Sequence, residues 1–356
     1  GFRKQLNLLD FWWHLKIGDL ILETGNLPRI DEFSFPAAGA TFVLQNWLAE
    51  VFYSLTYRLG GFEALIFLNT LMLTVTLILI YSLCLETTGR IRPAAISIII
   101  PLIVLPAFSS VRPQVFSFLF FAFFLWILTK WCKGNSRYLW LLPVAMLLWV
   151  NLHGAFVLGL GLIFFFFASE TVRRALLGNR SGTRPYSQSK KLLVIFLLTS
   201  LTSLANPEFY RVYEYVLSVA QDPGSQLYVT EWQTPAITRI DGISCFYFPF
   251  FLSLLILLYT KYKLTLTELS LFFGFAVFGL MSLRNGIWFA LVAPIIVSAA
   301  IIRLPKPEWA ATWLGSITRR VSSEQRPSQQ RPVLNLIMAF LIFSVLVTNS
   351  PWLYPS

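Results

Sequence analysis

From Phe62 onward, apolar stretches about as long as the hydrocarbon core of a bilayer is thick recur along the chain, separated by short polar connections. A helix rises 1.5 Å per residue and needs about 20 apolar residues to cross ~30 Å of hydrocarbon. The pattern predicts spans at approximately 62–85, 94–110, 114–131, 138–151, 155–171, 192–206, 243–260, 264–282, 286–302 and 333–350. Ahead of residue 60 the pattern changes, with ionisable residues interleaved among aromatic ones. A helix over Asp10 to Leu22 places Asp10, His14 and Gly18 on one face at i, i+4 and i+8, with Phe11, Leu15 and Leu22 on a neighbouring apolar face. Gln45 to Arg58 predicts a second helix, apolar at Trp47, Val51 and Leu55, and between the two Asn26, Leu27 and Pro28 make a turn that presents Asp31 and Glu32. The predicted fold class is an all-α polytopic membrane protein, a helix bundle with interfacial helices in its first outer loop. Its segments are an extracytoplasmic loop at 1–60, a bundle of about nine spans at 61–303 with an outer loop at 207–241, a cytoplasmic connection at 304–332, and a last span with its tail at 333–356.

Composition agrees with the pattern. Of 356 residues 56% are apolar and 13% charged, with mean hydropathy +0.66, whereas a soluble domain carries about 25% charged residues. Short cationic loops stay on the cytoplasmic side of a membrane. With residues 1–60 outside, alternate loops hold 19 of the 28 Lys and Arg, and the opposite side holds the other nine with 12 of the 17 acidic residues. A net charge of +11 would by itself raise nucleic acid as a partner. The partition sets the cations beside lipid headgroups instead, so membrane lipids are the expected partner and nucleic acid is not.

The first residue is Gly rather than Met, and no span precedes the leading segment to carry it outside; the expectation is one further helix upstream, giving eleven spans, and an extension beyond Ser356. Cys84, Cys132 and Cys245 form no CxxC pair and suggest no disulfide. Residues 178–189 and 305–332 read as cytoplasmic connections, the second with an interfacial helix around Trp309 to Ile317.

Polar residues at the span ends are unevenly distributed. Arg112 with Gln114, Asn151 with His153, Asn206, Arg284 with Asn285, and the long loop carrying Glu214, Asp222, Glu231 and Trp232 all fall on the outer face, as do both histidines, His14 and His153. The cytoplasmic face has plain Lys and Arg.

In order, the chain reads Asp-x-Trp-Trp-His-Leu from Asp10, Gly18, Pro-Arg-x-Asp-x-Phe-Ser from Pro28, Trp-Leu-x-Glu from Trp47, then Arg-Pro-Gln from Arg112, Asn-x-His-Gly from Asn151, Asn-Pro from Asn206 and Glu-Trp from Glu231. This series resembles the bacterial polytopic GT-C glycosyltransferases, relatives of the lipid-linked-sugar enzymes that modify proteins, lipid A and cell-wall polysaccharides. The resemblance runs from Asp10 to about Arg303. It departs from the family in lacking the transmembrane helix before the acidic loop and a soluble C-terminal domain.

The resemblance implies a GT-C-like bundle in the bacterial cytoplasmic membrane. The implied reaction moves a sugar from a polyprenyl-phosphate donor to a lipid, glycan or protein acceptor at the outer face. Asp10 matches the family's catalytic aspartate, and the acceptor hydroxyl must lose a proton to a nearby base as it attacks. A single displacement needs no second carboxylate as nucleophile. Because the leaving group is a lipid phosphate, a guanidinium that neutralises it contributes more than an acid that protonates it; Arg112 and Arg284 are the candidates, with His14 as a further phosphate contact. Trp13, Asp31, Glu32, Asn151, His153, Glu231 and Trp232 are the candidate acceptor or sugar contacts. Members differ in whether a divalent ion sits near the loop carboxylates. Where one does, hard oxygen ligands favour Mg or Mn, and no ligand spacing here calls for one.

Each residue also has a plainer reading. Asp10 suits a helix N-cap, Trp12 and Trp13 suit interfacial anchors, and the two arginines could snorkel to the headgroups. Two other function classes remain open, a transporter or flippase of a lipid-linked glycan and a non-catalytic subunit of a membrane assembly. A transporter calls for ionisable groups at mid-membrane depth, and Glu268 is the acidic residue expected nearest a span interior.

Overall fold

The first described helix, α1 (Phe11–Thr24), lies against the start of a 42-residue helix, α2 (Trp47–Thr88). The computed structural model describes residues 11–31, 33, 35, 38–177 and 186–305. The close approach of α1 to α2 depends on Gly18, where a Cβ would fall 2.2 Å from the Glu50 carbonyl oxygen. On the exposed side of the same contact, Asp19 accepts hydrogen bonds from Ser54 at 2.6 Å and from Arg58 at 2.8 Å. The Ser54 hydroxyl, followed by Arg58, holds the Asp19 carboxyl below the usual carboxylate range.

Gly60 and Gly61 break α2 into two arms. Gly61 has φ +63°, a left-handed conformation that a side chain would oppose, so the chain turns there from the arm that packs on α1 into the apolar arm that follows. The longer described helices that follow are α3 (Ile91–Phe108), α4 (Gln114–Cys132), α5 (Arg137–Leu152), α6 (Phe156–Leu177), α7 (Tyr186–Thr202), α8 (Arg211–Gln221), α9 (Ile240–Tyr259), α10 (Leu266–Met281) and α11 (Leu283–Ile301). Among the described residues the only β-structure is one antiparallel bridge, Ile30 to Thr41.

Six helices, α2, α3, α4, α6, α9 and α11, are long and apolar enough to cross a membrane, and the chain is an all-α polytopic membrane protein. Two expected spans are shorter apolar helices, α5 and α10. The one expected at 192–206 belongs to α7, which begins with polar residues at Tyr186 and ends at Thr202. The span expected at 333–350 and the helix around Trp309 to Ile317 lie outside the described residues.

α11 forms the centre of the bundle and is buried on nearly every face, with Trp288 packed against Phe118 and Phe121 of α4 and Phe289 against Phe250 and Phe272. In lipid such packing is held by close van der Waals contact rather than by exclusion of water.

Glu268 does not occupy a span interior. With Thr265 it forms a capping box at the start of α10, and it accepts a hydrogen bond from the Tyr262 hydroxyl at 2.6 Å. Glu170 of α6 is a buried acid within a span, 2% exposed and 3.2 Å from Arg173. At the end of the bundle away from the site described next, Lys130 and Lys133 pair with Glu86 at 2.6 and 3.5 Å.

Candidate functional site

Where α5 ends and α4 and α11 begin, a cavity of about 1520 Å³ is walled by α1, the 42–46 loop, α8 and the segment 230–241. The turn before α11 is tied to that segment by two hydrogen bonds, Ser282 Oγ to the Glu231 carbonyl at 2.9 Å and Leu283 N to the Gln233 carbonyl at 2.8 Å. These bonds bring Glu231 and Trp232 to Arg284 across some fifty positions of sequence.

Two arginines stand on the wall. Arg112, in the turn that starts α4, donates from Nη1 to both carboxylate oxygens of Glu231 at 3.2 and 3.3 Å. The half-buried guanidinium of Arg284 lies over the Trp232 ring, its Cζ 4.1 Å from the ring centre, a cation–π contact that helps hold it in place. Among the described carboxylates none lies within 4.0 Å of it.

The two histidines are held differently. His14 Nδ1 lies 3.2 Å from Glu50 Oε1, which also accepts from Asn46 Nδ2 at 3.3 Å. Glu50 is 1% exposed and its Oε2 has no hydrogen-bond partner among the described residues. Burying a carboxylate with one oxygen unsatisfied is costly, and this one lies against the cavity. His153 ends α5 in an extended conformation, and its Nδ1 lies 2.8 Å from Ser117 Oγ. Its ring reaches the cavity but sits deep below the surface. Desolvation, with smaller contributions from the positive charge of Arg284 and of His14, pushes its pKa down to about 3. Tyr215 of α8 completes this wall; burial, then the nearby Glu50, raises its phenol above the ordinary range.

Seven residues expected from sequence meet in the cavity: Trp13, His14, Arg112, His153, Glu231, Trp232 and Arg284. Trp13 is braced by Phe33 and Phe42, with ring centres 5.0 and 6.1 Å away. Two expected contacts lie elsewhere. Asp31 is 9% exposed, does not line the cavity, and accepts from Phe33 N at 2.9 Å within its own loop. Asn151 is a structural bridge. Its Nδ2 donates to the Leu147 and Ala205 carbonyls, both at 2.9 Å, and its Oδ1 accepts from Trp47 Nε1 at 2.8 Å and from Asn206 Nδ2 at 3.1 Å. Asp10 and Glu32 lie outside the described residues.

Sequence reasoning missed Tyr215 as a wall residue and gave Glu50 no role, whereas Gln114 and Asn285, grouped with the two arginines at the outer face, do line the cavity. Glu50 carried a signal, since it recurs with Ser54 at i, i+4 beside the apolar face of its helix. Among the described residues no three His, Cys, Asp or Glu side chains converge on a common point; His14 and Glu50 supply two. No protein-family model, curated protein or solved structure matches the chain.

Proposed function

We propose that the chain transfers a sugar from a polyprenyl-phosphate carrier to a lipid, glycan or protein acceptor at the outer face of the bacterial cytoplasmic membrane. The observation that carries this reading is the placement of Arg284, a guanidinium stacked on Trp232 at 4.1 Å, beside Arg112 in the wall of a large cavity at one end of an apolar bundle. A lipid phosphate sliding in from the bilayer would meet charge there that lipid cannot supply.

In the proposed step the acceptor oxygen bonds to the anomeric carbon as the bond from that carbon to the phosphate oxygen breaks. The lipid phosphate leaves with the electron pair, its charge compensated by Arg284 and Arg112. The acceptor's proton passes to Asp10, the residue directly before α1 in sequence, on whose helix His14 reaches the cavity. Trp13, Trp232 and Glu231 border the space left for sugar and acceptor.

The test is transfer of radiolabelled sugar from polyprenyl-phosphate donors in membranes containing the full chain. Incorporation above that of empty membranes is expected, with a loss of at least about 100-fold in Asp10→Asn. Wild-type turnover by Asp10→Asn removes that residue from the reaction. Absence of transfer from a panel of such donors refutes the activity.

A further inference from the structure

The environment of His153 fixes the position of its proton. Its Nδ1 receives the Ala155 backbone N–H at 3.3 Å and lies 2.8 Å from Ser117 Oγ. That hydroxyl oxygen already accepts the indole N–H of Trp149 at 2.7 Å, and an indole nitrogen can only donate. Because the Ala155 N–H already points at Nδ1, a proton on that nitrogen would oppose it, so the Ser117 hydroxyl, its oxygen accepting from Trp149, donates its own proton to Nδ1. With two donors converging on it, Nδ1 must carry the lone pair, which excludes both the Nδ1–H tautomer and the imidazolium. The single ring proton sits on Nε2, which has no partner among the described residues and belongs to a side chain that lines the cavity.

The ring's surroundings agree. Arg284 and His14 bring positive charge towards it, and Arg112, Glu231, Glu50 and Tyr215 stand on the same wall. A neutral N–H beside a guanidinium adds a second donor without a second charge, so it can serve an anion without repelling Arg284.

We propose that His153 binds ligand as a neutral imidazole, donating from Nε2–H to an oxygen of a phosphate ester held beside Arg284. The ligand class rests on the function proposed above; the tautomer does not.

The chain has two histidines, so ¹⁵N-histidine labelling of the full protein in lipid nanodiscs gives two ring systems, and His14→Gln assigns them. The expected result for His153 is a pyridine-type Nδ1 and a pyrrole-type Nε2, unchanged between about pH 5 and 9. A pyrrole-type Nδ1, or a protonation step within that range, overturns the assignment. Binding of undecaprenyl phosphate then tests the ligand. The Gln amide places an N–H near the Nε2 position and Asn does not, so His153→Gln should bind within about threefold of wild type and His153→Asn about tenfold more weakly. Equal binding by His153→Asn overturns the contact. Failure of the wild type to bind this lipid, with the ¹⁵N signature intact, refutes the phosphate and leaves the tautomer established.

Discussion

Removing the Arg284 guanidinium is the most direct perturbation of the site. Its stacking on Trp232 at 4.1 Å and its lack of a described carboxylate within 4.0 Å leave its charge available to an incoming anion. At ~4 Å and an effective dielectric of about 20, a unit charge pair gains about 4 kcal/mol. Desolvation takes back part of this, and hydrogen bonds to charged groups contribute about 1.5–3 kcal/mol net. Arg284→Ala should therefore weaken equilibrium binding of undecaprenyl phosphate in nanodiscs by about 10- to 150-fold. Arg284→Lys keeps the charge but loses the guanidinium's contact with the indole, worth about 0.5–1 kcal/mol, and should bind about threefold more weakly than wild type. Added salt should weaken wild-type binding more than that of Arg284→Ala. Arg284→Ala binding within twofold of wild type, in protein whose thermal melting is unchanged, would refute the role given to this residue.

Three further outcomes follow from the packing. A Cβ at Gly18 falls 2.2 Å from the Glu50 carbonyl oxygen while one at Gly161 meets nothing within 4 Å, so Gly18→Ala should cost about 1–3 kcal/mol and lower the melting temperature, and Gly161→Ala should be neutral or slightly stabilising. Asn206 is 7% exposed and its Nδ2 donates to the Gln45 and Val150 carbonyls and to Asn151 Oδ1, each at 3.1 Å; Asn206→Leu should cost about 1–3 kcal/mol in thermal or denaturant unfolding. The Asp19 carboxyl is held below its ordinary range in the folded protein, so its stabilising effect is complete above an unfolded pKa of about 3.9 and is lost as pH falls through the lower folded value. Melting followed from pH 6 down to 3 should show this acid sensitivity, and Asp19→Asn should reduce it.

Much of the site was legible because its residues break a pattern. Arg112 and Arg284 stood out as cations at the ends of spans on the acidic face, and both histidines fell on that face too. Asp31 and Asn151 broke the same pattern for another reason. Asp31 is a carboxylate that accepts from its own loop, and Asn151 is an amide at a span end that bridges α5 to the 205–206 turn. Only their partners distinguish them from ligand contacts, and those partners lie in backbone that sequence does not locate. Glu50 entered the sequence reading only as the end of the Trp-Leu-x-Glu run, with no role assigned, because its burial depends on Gly18 admitting α1 against it and on His14 taking up one oxygen.

The amino-acid sequence alone determined the class, a multi-pass helical membrane protein, because the length and polarity of each span answer to the bilayer and not to any neighbour. Which polar residues share a cavity was decided by tertiary structure. The Arg284 to Trp232 stack, the His14 to Glu50 contact and the proton on His153 all depend on helices far apart in sequence meeting at one end of the bundle. Packing between helices is set by shape at close range, and a hydropathy pattern carries no record of that shape.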